Sequence, residues 1–222
     1  MDPRQLLEQH QVEVFLDFDG TITEVDTLVL LLDRFAPPSW WDIENEVLAG
    51  GLNEKESLQR EMDCIRVDWE TARAFLLQEA RLRPGFRELI DWLRQREIPV
   101  TVLSGGFRRN IETVFTREGI DLPVCANEAE VTGERWRVIP APHPRLRDRC
   151  NHCKSWHLEQ ARSRGSKIIY LGDGTTDRCA SGVADFVFAR DNLLSWCREQ
   201  GINHLSFTDF HGVLQALRDE EG

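Results

Sequence analysis

The chain has 222 residues, a formal net charge of −11 and 41% hydrophobic residues, and a core of this size buries roughly 70% of the unfolded surface without disulfide or metal staples. The acidic balance and the absence of a Lys/Arg stripe exclude a nucleic-acid or anionic-membrane surface, and no stretch approaches the ~20 apolar residues of a membrane span. The start, Met1 to Gln11, is polar without an apolar leader, and of six cysteines four are widely scattered (Cys64, Cys125, Cys179, Cys197), so a cytoplasmic protein with reduced thiols is expected.

The first apolar run, Val14-Phe15-Leu16, reads as a buried strand that delivers Asp17-Phe18-Asp19-Gly20-Thr21. Residues i and i+2 of an extended chain share a side, so Asp17 and Asp19 are expected to project together past the strand end. A carboxylate pair there can hold a hard cation while one oxygen attacks; a strand that merely ends in an Asp/Gly turn accounts for the same residues. Asp26 to Phe35 reads as a helix stopped by Pro37-Pro38. Ser39, Asn53 and Asp68 can then cap helices over Trp40–Leu48, Glu54–Ile65 and Trp69–Leu82. Such a block is too long for a simple crossover. Residues 26–82 are therefore read as an inserted helical domain, with 1–25 and 83–222 as the core.

Pro84-Gly85 returns the chain to a βαβ rhythm. Helices are expected over Phe86–Glu97, Phe107–Glu118, Cys153–Ser163, Asn192–Gln200 and Asp209–Asp219. Strands are expected over Val100–Leu103, Val124–Ala126, Lys167–Leu171, Asp185–Phe188 and His204–Phe207, with a hairpin of Ala129–Val131 and Trp136–Ile139 around Thr132-Gly133. The fold class is α/β, a mostly parallel, doubly wound sheet covered on both faces.

Three further groups fall at strand ends. Ser104-Gly105-Gly106 offers a hydroxyl and open backbone N–H groups where a helix starts, suited to a phosphate but equally an ordinary connection. Gly172-Asp173-Gly174-Thr175-Thr176-Asp177 places two acids four apart, and Asp177 alone reads as a helix-start acid. Lys154 opens a helix after a proline-rich loop. A phosphate ester, with roughly −1.5 to −2 charges, needs such a cation in so acidic a chain.

In this order and spacing, Asp17-Phe18-Asp19-Gly20-Thr21, Ser104, Lys154 and Gly172-Asp173 with Asp177 resemble the four motifs of the haloacid dehalogenase (HAD) superfamily. The resemblance spans nearly the whole chain, in the phosphoserine phosphatase-like branch. It implies a Rossmann-like core with a C1-type cap over 26–82, and a phosphatase that works through an aspartyl-phosphate. Asp17 is then the nucleophile and Asp19 the acid/base; Ser104, Gly105 and Lys154 hold the phosphate. Mg²⁺ would then be held by Asp17, Asp173 and the Asp19 carbonyl, with Asp177 behind them or reaching the ion through water. The C-terminal stretch, including Phe188-Ala189-Arg190-Asp191 and Asn203-His204-Leu205, is similar to the branch's methionine-salvage phosphatases, which act on 2-hydroxy-3-keto-5-methylthiopentenyl-1-phosphate. Phosphoserine, phosphocholine and phosphoethanolamine are alternative substrates; a phosphomutase, a phosphotransferase or a phosphoacceptor switch is an alternative class.

The implied partner is a small phosphate ester, with the protein a monomer or homodimer. Glu24, Asp26 and Trp40-Trp41 are candidates for selecting the leaving group. Cys150-Asn151-His152-Cys153, with His143 and His157 nearby, is compatible with loop packing, zinc or a redox pair.

Overall fold

The computed structural model describes residues 2–142 and 152–218. In chain order the elements are α1 (Pro3–Gln9), β1 (Val12–Leu16), α2 (Thr27–Phe35), α3 (Trp41–Leu48), α4 (Glu54–Met62), α5 (Trp69–Glu79), α6 (Phe86–Gln95), β2 (Val100–Phe107) and α7 (Arg108–Glu118). They continue with β3 (Val124–Thr132), β4 (Arg135–Ile139), α8 (Lys154–Ser163), β5 (Lys167–Gly172), α9 (Arg178–Ser181), β6 (Phe186–Ala189), α10 (Asp191–Gln200), β7 (His204–Ser206) and α11 (Phe210–Leu217). The strands hydrogen-bond in the order β4-β3-β2-β1-β5-β6-β7. Contacts divide the chain into two compact units, Met1–Glu24, Leu82–Leu103 and Lys154–Gly222 against Val25–Arg81 and Ser104–Cys153. No helix among the described residues is long and apolar enough to cross a membrane.

The first unit holds the parallel strands. β1 pairs with β2 (Leu16 opposite Val102) and with β5 (Leu16 opposite Leu171), β5 with β6, and β6 with β7, all parallel. Parallel strands covered on both faces read as continuous apolar runs. Accordingly Val14, Phe15 and Leu16 of β1 and Ile168 to Leu171 of β5 are all buried. The α/β expectation of a mostly parallel sheet flanked by helices holds. Sequence periodicity did not suggest α1: its amphipathic signal is only Pro3 and Leu6 turned inward, and an Asp2 cap accepts the Arg4 N–H at 2.9 Å.

In the second unit α2, α4, α5, the end of β2 and the antiparallel β3–β4 hairpin share one core of Leu28, Leu31, Leu32, Trp40, Met62, Ile65, Leu76, Phe107 and Trp136, among others. Polar side chains tie the elements together. Trp136 Nε1 donates to the Val67 carbonyl (2.8 Å), Arg117 donates to the carbonyls of Leu77 and Ala80 (2.7 Å each), and Gln59 Oε1 accepts from Val138 N (2.9 Å). Asn53 and Asp68 cap α4 and α5 by accepting the N–H groups of Glu56 and Thr71, as expected.

Several boundaries differ from the sequence reading. Ser39 caps no helix: it lies inside a tight turn, Pro38–Trp40, and α3 begins at Trp41. α4 and α5 stop at Met62 and Glu79, short of Ile65 and Leu82. Ala80 is extended, at ψ 130°, Leu82 bridges to Thr23, and Arg83 precedes a proline that disfavours helical backbone. Ser104-Gly105-Gly106 does not open a helix, because β2 runs through it to Phe107. Val124–Ala126 and Ala129–Val131 are one strand, β3, rather than two.

Candidate active site

β1 ends at Leu16, and Asp17 follows in extended backbone (φ −70°, ψ 161°), its N–H donating to the Leu171 carbonyl at 2.9 Å. The chain then turns back on itself. Gly20 takes φ +76°, the left-handed region that glycine alone enters freely, and Thr23 closes the turn by donating its N–H to the Phe18 carbonyl at 3.0 Å. Glycine is required here for a second reason: a Cβ on Gly20 would stand 2.5 Å from Asp173 Oδ2. The tight turn thus brings the main chain after Asp19 directly against the acid at the end of β5.

Four of the residues singled out from sequence meet in the first unit. Lys154 Nζ donates to Asp17 Oδ1 at 2.6 Å and to Asp177 Oδ1 at 2.7 Å, and all three residues are buried, Lys154 at 3% exposure. Carboxylate oxygens of Asp17, Asp173 and Asp177 lie within 4.8 Å of one another. Asp173 Oδ1 accepts the Thr21 hydroxyl at 2.6 Å. Asp19 lies in the turn, half-buried, and its carboxylate is outside that cluster.

Asp177 is held on every side. Oδ1 accepts from Lys154 and from the Tyr170 hydroxyl, and Oδ2 accepts from the N–H groups of Asp173 and Gly174 at 3.0 Å each. A carboxylate has about four lone-pair sites, so these donors occupy all of them. Asp17 and Asp173, by contrast, each give one oxygen to a side-chain donor, Lys154 and Thr21.

Charge in the cluster is unbalanced. Three carboxylates face one ammonium, a formal excess of two negative charges. Burial, then Asp177, pushes Asp17 well above the usual carboxylate range against the pull of Lys154, and burial with Asp177 raises Asp173 to about 6. Burial disfavours the Lys154 charge too, yet Asp17 and Asp177 outweigh it and raise its pKa, so the lysine stays protonated. A divalent cation beside Asp17 and Asp173 would cancel the excess and bring both acids back to the ionised form. The residues therefore fit a hard, oxygen-liganded ion.

Sequence reading missed Arg83. It is 8% exposed and its guanidinium donates to the carbonyls of Thr21 (2.9 Å), Gly20 (2.7 Å) and Thr23 (3.0 Å), so one side chain fixes the turn that carries Asp19. A planar five-donor fork suits such a task; the signal available was an Arg directly before Pro84-Gly85.

Ser104 and Gly105 lie in the second unit, on β2. Ser104 is fully buried and its Oγ accepts the Gly106 N–H at 2.9 Å. Of the leaving-group candidates in this unit, Asp26 caps α2, accepting from Leu28 and Val29 at 2.7 and 3.0 Å. Trp40 is core, at 2% exposure, while Trp41 is 49% exposed. Their rings do not diverge: they stack with centroids 4.2 Å apart, Trp40 closing the turn before α3 and Trp41 opening the helix. Cys150, Asn151 and His143 lie outside the described residues.

Comparison with known proteins gives the site its family. The family model described as haloacid dehalogenase-like hydrolase matches residues 14–181, a span that contains every residue of the cluster. The chain belongs to that family. It is 34% identical over 218 residues, 95% of this chain and 97% of the relative, to a 2-hydroxy-3-keto-5-methylthiopentenyl-1-phosphate phosphatase of Geobacillus kaustophilus (strain HTA426). A protein of the same name from Bacillus velezensis (strain DSM 23117 / BGSC 10A6 / LMG 26770 / FZB42) is 32% identical over 93% of this chain and 89% of its own. In fold the chain is similar to a phospho-aspartyl intermediate analogue of phosphoserine phosphatase, with a TM-score of 0.72 at 22% identity, covering 95% of this chain and 100% of that chain. This HAD-family chain is a hydrolase of the phosphatase type.

Proposed function

We propose that this HAD phosphatase uses Mg²⁺ and hydrolyses 2-hydroxy-3-keto-5-methylthiopentenyl-1-phosphate, a reading supported by the named substrate of relatives that match almost end to end. The observation that carries the mechanism is the buried contact of Lys154 with both Asp17 and Asp177. It holds one oxygen of Asp17 and leaves the other for attack.

In this reading Asp17 attacks phosphorus in line, the ester P–O bond breaks, and Asp19 gives its proton to the departing oxygen. Asp19, now a base, takes a proton from water as that water attacks the aspartyl-phosphate, releasing inorganic phosphate and restoring Asp17. Lys154 offsets charge on the phosphoryl group and on Asp17, while the Ser104 hydroxyl and the Gly105 N–H hold equatorial oxygens. Asp17, Asp173 and the Asp19 carbonyl would hold the metal, with Asp177 fixing Lys154 rather than binding directly. Bound Mg²⁺ supplies neutralisation of the phosphoryl charge. Residues 26–82 serve as the cap domain that carries leaving-group selectivity, and 1–25 with 83–222 as the catalytic core.

The deciding experiment measures phosphate release from 2-hydroxy-3-keto-5-methylthiopentenyl-1-phosphate beside phosphoserine, phosphocholine, phosphoethanolamine and p-nitrophenyl phosphate. Turnover should require Mg²⁺, disappear with EDTA, and fall to background in Asp17→Asn. Preference for another ester refutes the substrate, and turnover by Asp17→Asn refutes the nucleophile.

A further inference from the structure

Within the second unit, two buried side chains that the mechanism above does not use grip the backbone of the Ser104-Gly105-Gly106 segment. His152 Nδ1 lies 3.0 Å from the Ser104 carbonyl oxygen. A carbonyl only accepts, so Nδ1 carries the proton. Asn127 Nδ2 donates to the Gly105 carbonyl at 2.7 Å, and its own Oδ1 accepts the Ala141 N–H at 2.9 Å, which fixes the amide's orientation. Asn127 and His152 are 0% and 5% exposed.

A trans peptide unit is planar, with C=O and N–H pointing in opposite directions. The Ser104 carbonyl shares its plane with the Gly105 N–H, so the bond from His152 aims that N–H. The Gly105 carbonyl shares its plane with the Gly106 N–H, so the bond from Asn127 aims the donor that reaches Ser104 Oγ at 2.9 Å. That contact takes a lone pair of the hydroxyl and turns its proton away from Gly106. Two glycines in succession have no side chains to hold them, and backbone of this freedom needs outside restraint to present a fixed donor.

We propose that His152 and Asn127 are positioning residues that aim the Gly105 N–H and the Ser104 hydroxyl at a tetrahedral phosphoryl group. The proposal rests on the reading of Ser104 and Gly105 as phosphate ligands. It makes His152 part of the phosphate site, a role distinct from zinc or redox chemistry.

The test compares His152→Leu, which removes the donor, with His152→Asn, whose amide nitrogen can stand near the position of Nδ1, and with Asn127→Asp. Folding is checked by circular dichroism and thermal melting. The Kd of inorganic phosphate is measured by calorimetry, and KM, kcat and the Mg²⁺ activation constant with p-nitrophenyl phosphate. A donor displaced by an ångström can lose about 100-fold. Folded His152→Leu and Asn127→Asp should therefore bind phosphate about 10- to 100-fold more weakly and show raised KM, with Mg²⁺ activation within twofold of wild type, and His152→Asn should recover most of the loss. Should His152→Leu fail to fold, Asn127→Asp and His152→Gln carry the same comparison. Phosphate affinity within twofold of wild type in the folded variants, or no recovery in His152→Asn, overturns the proposal while leaving the hydrolase intact. Conversely, a wild-type protein that binds phosphate through these residues yet hydrolyses no ester overturns the mechanism and keeps the positioning role.

Discussion

Replacing Glu61 by glutamine tests the buried electrostatics of the second unit. Glu61 lies on α4 at 8% exposure. Burial, reinforced by Glu44, raises its pKa from 4.5 to about 7. A raised carboxyl pKa means that the folded state keeps a proton the unfolded chain has lost. Stability is therefore highest below the unfolded value, falls by about 1.4 kcal/mol per pH unit between the two pKa values, and levels off above the folded one. With the two values above, the loss between about pH 5 and pH 8.5 is roughly 2.5 kcal/mol. Glutamine has the same shape and cannot ionise, so the stability advantage of Glu61→Gln over wild type should be under about 1 kcal/mol near pH 5 and grow by roughly 2.5 kcal/mol toward pH 8.5. Urea melts followed by tryptophan fluorescence at a series of pH values measure the difference. Parallel stability curves for the two proteins would refute the argument, because they would mean that Glu61 ionises in the fold as readily as in the unfolded chain.

Gly20→Ala places a Cβ against Asp173 at a residue with φ +76°; we expect roughly 1–2 kcal/mol of backbone strain and a fall of about 100-fold in kcat/KM, measured with p-nitrophenyl phosphate. Arg83→Met leaves the carbonyls of Gly20, Thr21 and Thr23 without their guanidinium donor. The expected loss is about 2–4 kcal/mol in urea melts, and a stability change under about 0.5 kcal/mol, the size seen at ordinary surface sites, would show that the fork does not hold the turn. Lys154→Met removes the cation shared by Asp17 and Asp177; kcat should fall about 10³-fold, while Mg²⁺ half-activates at lower concentration because the cluster becomes more negative. An unchanged or higher Mg²⁺ requirement would contradict that account of the charge.

Continuous apolar runs and strong punctuation made the sheet readable. Val14-Phe15-Leu16 and Ile168 to Leu171 are buried on both faces and look so in sequence, and Asn53 and Asp68 announce α4 and α5 by their cap chemistry. The errors fall where tertiary pairing overrides local preference. Ser-Gly-Gly is a turn signal, yet β2 continues through it to Phe107 beside β3, with Asn127 and His152 donating to its carbonyls. Trp69 to Leu82 keeps helical residue types to its end, but Leu82 is claimed by a bridge to Thr23.

The site divides along the same line. Asp17, Lys154, Asp173 and Asp177, which the structure brings together, could be singled out because such chemistry demands particular residue types at strand ends and helix starts. Arg83, Tyr170, Asn127 and His152 act on backbone or on another side chain, and a hydrogen bond to a carbonyl leaves no pattern in the sequence of the donor. Tyr170 illustrates the point, since it reads as one more apolar position in a buried strand, and only its hydroxyl on Asp177 Oδ1 separates it from Ile168 and Ile169. That hydroxyl also separates two descriptions of Asp177. Tyr170, Lys154 and two backbone N–H groups all donate to Asp177, so in the proposed mechanism Asp177 keeps Lys154 charged and turned toward Asp17.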